Sequence, residues 1–291
     1  WLYEDEQIGA SYAGPILYDS GYLYFGTAAN RTFAEAHFYC ISAADGSLVW
    51  KNRAELDYEH SGLKDYWGHY WAGGCVIGDY VVYGSDGGRL YSANRYTGEI
   101  VDRLDVGKDI YENAADYYTK SYIRSSVIYD GSGKIYFTST DCYVHMADLD
   151  SETGKITGHK FALIGQTAGS GGNAGAFASD TSTSTPVLYN GRLYAASAKA
   201  FAVFDAETLT KIYDTDLGRT YGALRDLRLV ADENGDAYIF TSYYKTPGSI
   251  VMFHDAAGQQ TSSKPMDFGA LTQQTAQYCA SKRLSYPFMV R

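Results

Sequence analysis

The chain has 291 residues, of which 15% are aromatic, with 29 Tyr and 31 Gly but only 5 Pro, a composition typical of many short strands joined by tight turns. Its net charge of -10 and its lack of a Lys/Arg-rich run argue against nucleic-acid binding. No apolar stretch approaches the roughly 20 residues that a membrane-spanning helix needs, so we expect no transmembrane segment.

One structural unit repeats from the N-terminus onward. The first copy has an apolar strand at Pro15-Ile-Leu-Tyr18, a turn at Gly21, an aromatic strand, a third strand and a closing strand that ends at Trp50. The equivalent turn glycines are Gly21, Gly78, Gly133, Gly191 and Gly235, at spacings of 57, 55, 58 and 44 residues. A single four-stranded sheet leaves one face uncovered, and radial stacking covers it. The sequence therefore predicts an all-β fold, a β-propeller of four-stranded antiparallel blades.

The repeat divides one propeller domain, residues 1–291, into five complete copies and a partial one. The predicted blades cover about residues 13–51, 71–107, 124–165, 182–218 and 224–269. Trp1-Leu-Tyr3 reads as the outermost strand of another blade, and Tyr278-Cys-Ala-Ser281 as an innermost strand. Two arrangements stay open. Residues 276–291 and 1–5 share a sixth blade that closes the ring, or the chain is a fragment of a ring with seven or eight blades.

The turn before the outermost strand has a recurring sequence. It reads Asp45-Gly46-Ser-Leu-Val-Trp50, Asn94-Arg-Tyr-Thr97-Gly98 and Asp205-Ala-Glu-Thr208 in three copies. This pattern resembles the PQQ-like repeat of quinoprotein-type β-propellers over nearly the whole chain, although the closing Trp survives only at Trp50. Other stretches, such as Tyr70-Trp71-Ala-Gly-Gly74, are similar to propeller domains of bacterial cell-surface proteins. The second resemblance implies an extracellular or cell-surface location.

An aromatic and acidic insertion between the first two copies holds the candidate ligand-binding residues. Their side chains could stack on a sugar or contribute to a metal site. The alternative is an inter-blade loop whose Tyr and Trp side chains pack on neighbouring sheets. The candidates are Tyr66, Trp67, His69, Tyr70 and Trp71.

The resemblance to quinoproteins implies PQQ and calcium at the propeller's centre. The alcohol-oxidising members carry a disulfide between adjacent cysteines against the quinone, and no Cys-Cys pair occurs here. Calcium has only a loose match at Asp232, Glu233 and Asp236, because no Glu closes that loop at the usual spacing. We therefore expect a hairpin turn there, no PQQ, no bound cofactor, no metal ligands and no catalytic residues.

These observations favour a non-catalytic binding or scaffold propeller of a secreted or cell-surface bacterial protein, which recognises a protein or a glycan. One alternative is an enzyme, either a quinoprotein-like oxidoreductase or another propeller enzyme such as a hydrolase. A further alternative is a structural spacer or assembly scaffold, as in an outer-membrane assembly lipoprotein built from similar repeats. The residues alone do not identify the ligand.

Overall fold

The computed structural model describes residues 1–5, 15–28, 36–53, 68–69, 71, 73–171, 180–217, 226–243 and 249–267. In this part of the chain, five four-stranded antiparallel sheets follow one another, and each pairs its strands in chain order. The helices of the described residues are a short 3-10 turn, Val106–Asp109, and α1 (Ala114–Lys120). The predicted all-β fold of four-stranded propeller blades is confirmed.

Each sheet is one blade. Blade 1 contains β1 (Leu17–Asp19), β2 (Tyr22–Gly26), β3 (His37–Ser42) and β4 (Leu48–Arg53). Blade 2 contains β5 (Cys75–Ile77), β6 (Tyr80–Gly84), β7 (Arg89–Asn94) and β8 (Ile100–Asp105). Blade 3 contains β9 (Ile128–Tyr129), β10 (Lys134–Thr138), β11 (Tyr143–Leu149) and β12 (Ile156–Leu163). Blade 4 contains β13 (Val187–Tyr189), β14 (Arg192–Ala196), β15 (Ala200–Asp205) and β16 (Lys211–Asp216). Blade 5 contains β17 (Arg228–Ala231), β18 (Ala237–Tyr243), β19 (Ser249–Asp255) and β20 (Met266–Asp267).

The second strand of a blade contributes to two hydrophobic cores, because successive side chains point to opposite faces of a sheet. In β6, Val81 and Tyr83 pack in the core shared with blade 1, whereas Val82 packs in the core shared with blade 3. In β14, Leu193 packs against blade 3 and Tyr194 against blade 5. Four such cores join blades 1 to 5 in chain order, which is the radial stacking that the repeat predicts.

Strand order gives the propeller two ends. One end, which we call the turn end, holds two turns of each blade: the turn between the first and second strands and the turn between the third and fourth strands. The loops between second and third strands and the segments joining successive blades lie at the opposite, connector end. At the turn end, Arg95 of blade 2 pairs with Asp19 of blade 1. Arg192 of blade 4 pairs with Asp255 of blade 5 at 3.0 Å. The turn end therefore ties neighbouring blades together.

Trp1 contacts blade 1 in the way that Trp50 contacts blade 2. The indole Nε1 of Trp50 donates to the carbonyl oxygen of Arg95 at 2.9 Å, and that of Trp1 donates to Ala43 at 3.1 Å. Asp5, which follows Trp1, accepts a hydrogen bond from Lys51 Nζ at 2.8 Å. Trp1 thus occupies the place of a closing tryptophan relative to blade 1. The other part of the expected partial blade, residues 276–291, lies outside the described residues.

Candidate functional site

The aromatic insertion contributes two described residues of the predicted ligand-binding set. His69 lies at the connector end, and Trp71, with a φ of 61°, is partly exposed. Tyr66, Trp67 and Tyr70 lie outside the described residues. The structure therefore bears on this candidate site through His69 and Trp71.

Side chains of blades 1 and 2 enclose His69, which is 1% exposed. Its ring meets Phe38, Tyr83 and Tyr91 edge-on, at centroid distances of 5.8, 5.3 and 6.0 Å. Its Nδ1 donates to the carbonyl oxygen of Gly84 at 2.9 Å. Burial lowers the pKa of His69 to about 4, so the ring is neutral at pH 7. The ring of His69 is therefore part of the packing between blades 1 and 2.

A buried ion pair, which sequence reasoning missed, joins blades 2 and 3 at the connector end. Arg124 donates from Nε to Asp86 Oδ1 at 2.8 Å and from Nη2 to Oδ2 at 2.6 Å. Both side chains are almost fully buried. This two-point geometry is the strong form of an Arg–carboxylate contact. The signal in the sequence is an arginine four residues before the innermost strand of blade 3, but only the fold brings it to Asp86.

Polar groups at the starts of the innermost strands bond to one another around the propeller axis. The backbone N–H of Ser126 donates to Thr185 Oγ1 at 2.9 Å, and the N–H of Thr185 donates to Asp226 Oδ1 at 3.1 Å. The N–H of Val127 donates to the carbonyl oxygen of Gly73 at 3.3 Å. These bonds link blades 2, 3, 4 and 5. Polar groups near the propeller axis thus hold neighbouring blades together.

Acidic side chains of the described residues bear on the calcium–PQQ site that the resemblance to quinoproteins implies. Such a site needs several oxygen ligands grouped around one cation. In the described ranges, no three His, Cys, Asp or Glu side chains lie close enough together to hold a metal ion. Asp86, one of the buried acids at the connector end, has both carboxylate oxygens on Arg124. At the loose calcium match, Asp232 Oδ1 instead accepts from the N–H groups of Asn234 and Asp236, a hairpin arrangement.

An apolar surface is exposed on blade 1, on the face turned away from blade 2. We define the open face of blade 1 as Ile16, Tyr18 and Leu23. Farther along the same side of the sheet, Phe25 stacks on the buried Tyr39, which Tyr3 and Asp5 contact. Ile16 is 65% and Tyr18 64% exposed, and Leu23, opposite Tyr18 in the sheet, is partly exposed. The intervening Leu17 points the other way, into the core shared with blade 2. The two sides of β1 therefore lie in different environments.

Equivalent surfaces of later blades are covered. Val76 of blade 2, Leu188 of blade 4 and Leu229 of blade 5 each pack against the core shared with the preceding blade. Blade 1 thus exposes the position that these blades cover. Contiguous exposed apolar side chains that include an aromatic ring are typical of protein interaction surfaces. The open face is the candidate functional site that the described residues support best, and the sequence alone did not single it out.

Comparison with known proteins gives a family match over most of the chain. The profile of the family described as outer membrane protein assembly factor BamB matches residues 5–251. No curated protein sequence matches the chain. No helix in the described part of the chain has the length and hydropathy needed to cross a bilayer.

Solved structures share the fold at low sequence identity. BamB from Moraxella catarrhalis is 16% identical, with a TM-score of 0.50, over 88% of this chain and 76% of that one. A europium-containing methanol dehydrogenase is 9% identical, with a TM-score of 0.57, over 87% of this chain and 50% of that one. The quinohemoprotein alcohol dehydrogenase ADHIIG from Pseudomonas putida HK5 is 12% identical, with a TM-score of 0.57, over 87% and 52%. The chain thus spans about half the length of these dehydrogenases, and the likeness concerns the fold.

Proposed function

Because the chain belongs to the family of the outer membrane protein assembly factor BamB, we propose that it is a non-catalytic propeller that binds a protein partner as a scaffold. We also propose a bacterial cell-surface or secreted location, outside the cytoplasm. The name of the family supports both proposals, since it describes a protein that assists assembly at an outer membrane. The resemblance to propellers of bacterial cell-surface proteins supports the location.

The observation that carries the proposal is the open face of blade 1. Tyr18 lies on β1 and Ile16 directly precedes that strand, and residues two apart in an extended segment share a face. Burying an apolar side chain of this size contributes roughly 1.5–3 kcal/mol. A partner that covered both side chains would therefore gain enough free energy to matter for affinity.

The chemistry of the open face favours a protein over a glycan. Sugar rings stack on flat aromatic surfaces, whereas Tyr18 is flanked on the open face by Ile16 and Leu23, which are aliphatic and branched. Such side chains pack best against other apolar side chains. We therefore propose that the partner presents apolar side chains to blade 1, and a glycan ligand is an outcome of the test below.

The enzyme alternative stays open through the structural likeness to dehydrogenases, and it has its own test. Titration of the purified protein with PQQ and Ca²⁺ would raise the midpoint of thermal unfolding if the propeller held this cofactor. We expect no shift, since Asp86 is paired with Arg124 and the described residues offer no group of metal ligands. A saturable shift that needs both PQQ and Ca²⁺ would replace the scaffold proposal with an oxidoreductase.

Photo-crosslinking from position 18 tests the scaffold proposal. The variant carries a photoreactive amino acid in place of Tyr18 and is produced in its own host cells. The control carries the same group at Glu233, an exposed residue of the turn between β17 and β18. We expect a protein adduct from position 18 that is absent from position 233 and is lost when Ile16→Glu is added. Equal adducts from both positions, no adduct, or capture of a glycan alone would contradict the proposal.

A further inference from the structure

A line of five hydrogen-bonded side chains runs from the surface into blade 3 at the connector end. Its first bond joins His159 Nδ1 to Asp109 Oδ2 at 2.6 Å, and its second joins His145 Nδ1 to His159 Nε2 at 3.1 Å. Ser139 Oγ then lies 2.7 Å from His145 Nε2 and also contacts Asp141 Oδ1. Four contacts therefore connect two carboxylates through two imidazoles and one hydroxyl.

The contact between the two histidines has hydrogen-bond geometry. The planes of the His145 and His159 rings differ by 13°, and the ring centres are 5.3 Å apart. If the two rings lie in line, the distance between their centres equals the 3.1 Å between the nitrogens plus the distance from each ring centre to its nitrogen. The observed separation of the centres agrees with this sum. The rings thus meet edge to edge, in the direction of the nitrogen lone pairs.

The line is buried except at one end. His145, Ser139 and Asp141 are fully buried, whereas 52% of the Asp109 side chain is exposed. Phe137 stacks on the His145 ring at a centroid distance of 4.8 Å. Water cannot substitute freely for a missing bond inside such a site, because an unpaired buried polar group is costly. Each of the internal contacts therefore requires a proton between its two heavy atoms.

In their ordinary forms at neutral pH, the five groups of the line carry fewer protons than its four contacts need. With both carboxylates ionised and both imidazoles neutral, the line contains three protons: one on each imidazole and one on the hydroxyl. Four contacts need four protons. We infer that this line is a proton-binding site, which holds one proton more than its groups carry in their ordinary forms at neutral pH, so that its net charge is -1 rather than -2.

The surroundings indicate where the additional charge resides. Burial and the neighbouring His159 lower the pKa of His145 well below its ordinary value, so His145 is the unfavourable place for a positive charge. His159 faces the Asp109 carboxylate directly. With His159 as imidazolium, all four bonds run in one direction: His159 donates at both ends, His145 donates to Ser139, and Ser139 donates to Asp141.

Other charged and titratable groups lie close to the line. From the segment between blades 2 and 3, Tyr111 donates to Asp141 Oδ2 at 2.8 Å, and the Lys120 ammonium lies 4.9 Å from the centre of the Tyr111 ring. Asp116 on α1 forms an ion pair with Lys120 at 3.1 Å. From blade 3, Tyr143 lies beside His145, and burial raises its pKa. None of these groups supplies a proton between two members of the line.

The site ties the segment between blades 2 and 3 to blade 3. Asp109 holds one end of that segment to His159. At the other end, Ser121 Oγ donates to Asp141 Oδ2 at 2.7 Å. Loss of the additional proton removes one of the four bonds, so the segment from Val106 to Ser121 is held most firmly when the proton is bound.

Asp141→Asn is the decisive variant, because the amide supplies the missing proton covalently without changing the shape of the side chain. Its N–H₂ group would donate to Ser139, and the two imidazoles would then complete the line in their neutral forms. NMR of the imidazole nitrogens, on the full chain at pH 7.5, reports directly which nitrogens of His145 and His159 carry protons. We expect His159 to carry protons on both nitrogens in the wild type and on one nitrogen in Asp141→Asn. Asp116→Asn, which removes a nearby carboxylate outside the line, should keep the imidazolium.

The stability of the two proteins gives a second readout. A proton bound more tightly in the folded state than in the unfolded state stabilises the wild type fully at low pH, and this stabilisation is lost as pH rises above about 6.5, the pKa of an unfolded histidine. The unfolding equilibrium constant of the wild type should thus rise relative to that of Asp141→Asn by up to about tenfold per pH unit. If Asp141→Asn fails to fold, Ser139→Ala replaces it. Without the hydroxyl, only the contacts of His159 with Asp109 and with His145 remain, and the two neutral imidazoles supply a proton for each. Two neutral histidines together with an ionised Asp141 in the wild type at pH 7.5, or the same pH dependence in wild type and variant, would overturn the inference.

Discussion

The indole ring of Trp50 lies against Gly98, in the turn between the third and fourth strands of blade 2. A Cβ atom at position 98 would be 2.8 Å from the ring, and the φ of Gly98 is 77°. Trp50 Nε1 also donates to the carbonyl oxygen of Arg95 in the same turn. The closing tryptophan and the turn glycine of the repeat thus form one contact between neighbouring blades.

Gly98→Ala should therefore cost more than an ordinary substitution at a positive φ. A non-glycine residue in this conformation costs about 1–2 kcal/mol, and displacing the indole adds about 1–3 kcal/mol. Gly191→Ala is the matched control, because Gly191 has a φ of 76° and no atom within 4 Å of its added Cβ. Urea unfolding measures both. Equal losses of stability in the two variants would show that the Trp50 contact contributes nothing.

This contact also shows what the sequence can predict. The turn at Thr97-Gly98 and the closing Trp50 are local signals, because glycine at a positive φ and an aromatic residue ending a strand are readable without a structure. Repetition of those signals specified the blades. The sequence does not show that Gly98 lies under Trp50, because that contact depends on how blades 1 and 2 pack.

The pair of Asp86 and Arg124 should behave as a buried ion pair. Arg124→Met removes the guanidinium from the buried Asp86 carboxylate, which costs about 3–5 kcal/mol. The double variant Asp86→Leu with Arg124→Met should recover most of that loss, since replacing both partners by apolar side chains is often neutral. A double-mutant cycle by urea unfolding measures the coupling. Independent, additive losses would mean that the pair is not coupled.

His69 should make the protein sensitive to acid. Its pKa is lowered to about 4 in the folded protein, whereas an unfolded histidine has a value of about 6.5. The unfolded state therefore binds the proton first, and stability falls as pH drops from 6.5 toward 4, by roughly 3 kcal/mol in total.

His69→Asn removes this titration while its amide N–H can still donate to Gly84. Unfolding free energies measured at several pH values should show a shallower acid loss in His69→Asn than in the wild type. Identical slopes in the two proteins would exclude His69 as the cause.

The open face of blade 1 should tolerate polar substitution. Tyr18→Ser removes a side chain that is 64% exposed, so the free energy of unfolding should change by less than about 0.5 kcal/mol. Leu188→Ser, at the equivalent and covered position of blade 4, should cost about 1–3 kcal/mol. Thermal or urea unfolding compares the two. A large loss for Tyr18→Ser would mean that this face is packed in the folded protein.

The parts of the site that the sequence could not reveal depend on strand register and on distant segments. His145 lies opposite Phe161 in the pairing of β11 with β12, and His159 is two residues from Phe161 on β12, beside a shift in the strand register. Asp109 reaches the two histidines from the segment between blades 2 and 3. The aromatic insertion stands out in the sequence by its composition. The exposure of Ile16 and Tyr18 depends on how blade 1 packs, so the sequence does not show it.

Affinity for the partner captured from position 18 tests the central proposal most directly. Calorimetric titration would compare the wild type, Ile16→Glu on the open face and Glu233→Lys on blade 5. We predict that Kd rises at least about tenfold in Ile16→Glu, a loss of about 1.4 kcal/mol, and stays unchanged in Glu233→Lys. An unchanged Kd for Ile16→Glu, in a protein that unfolds like the wild type, would contradict a binding function for the open face of blade 1.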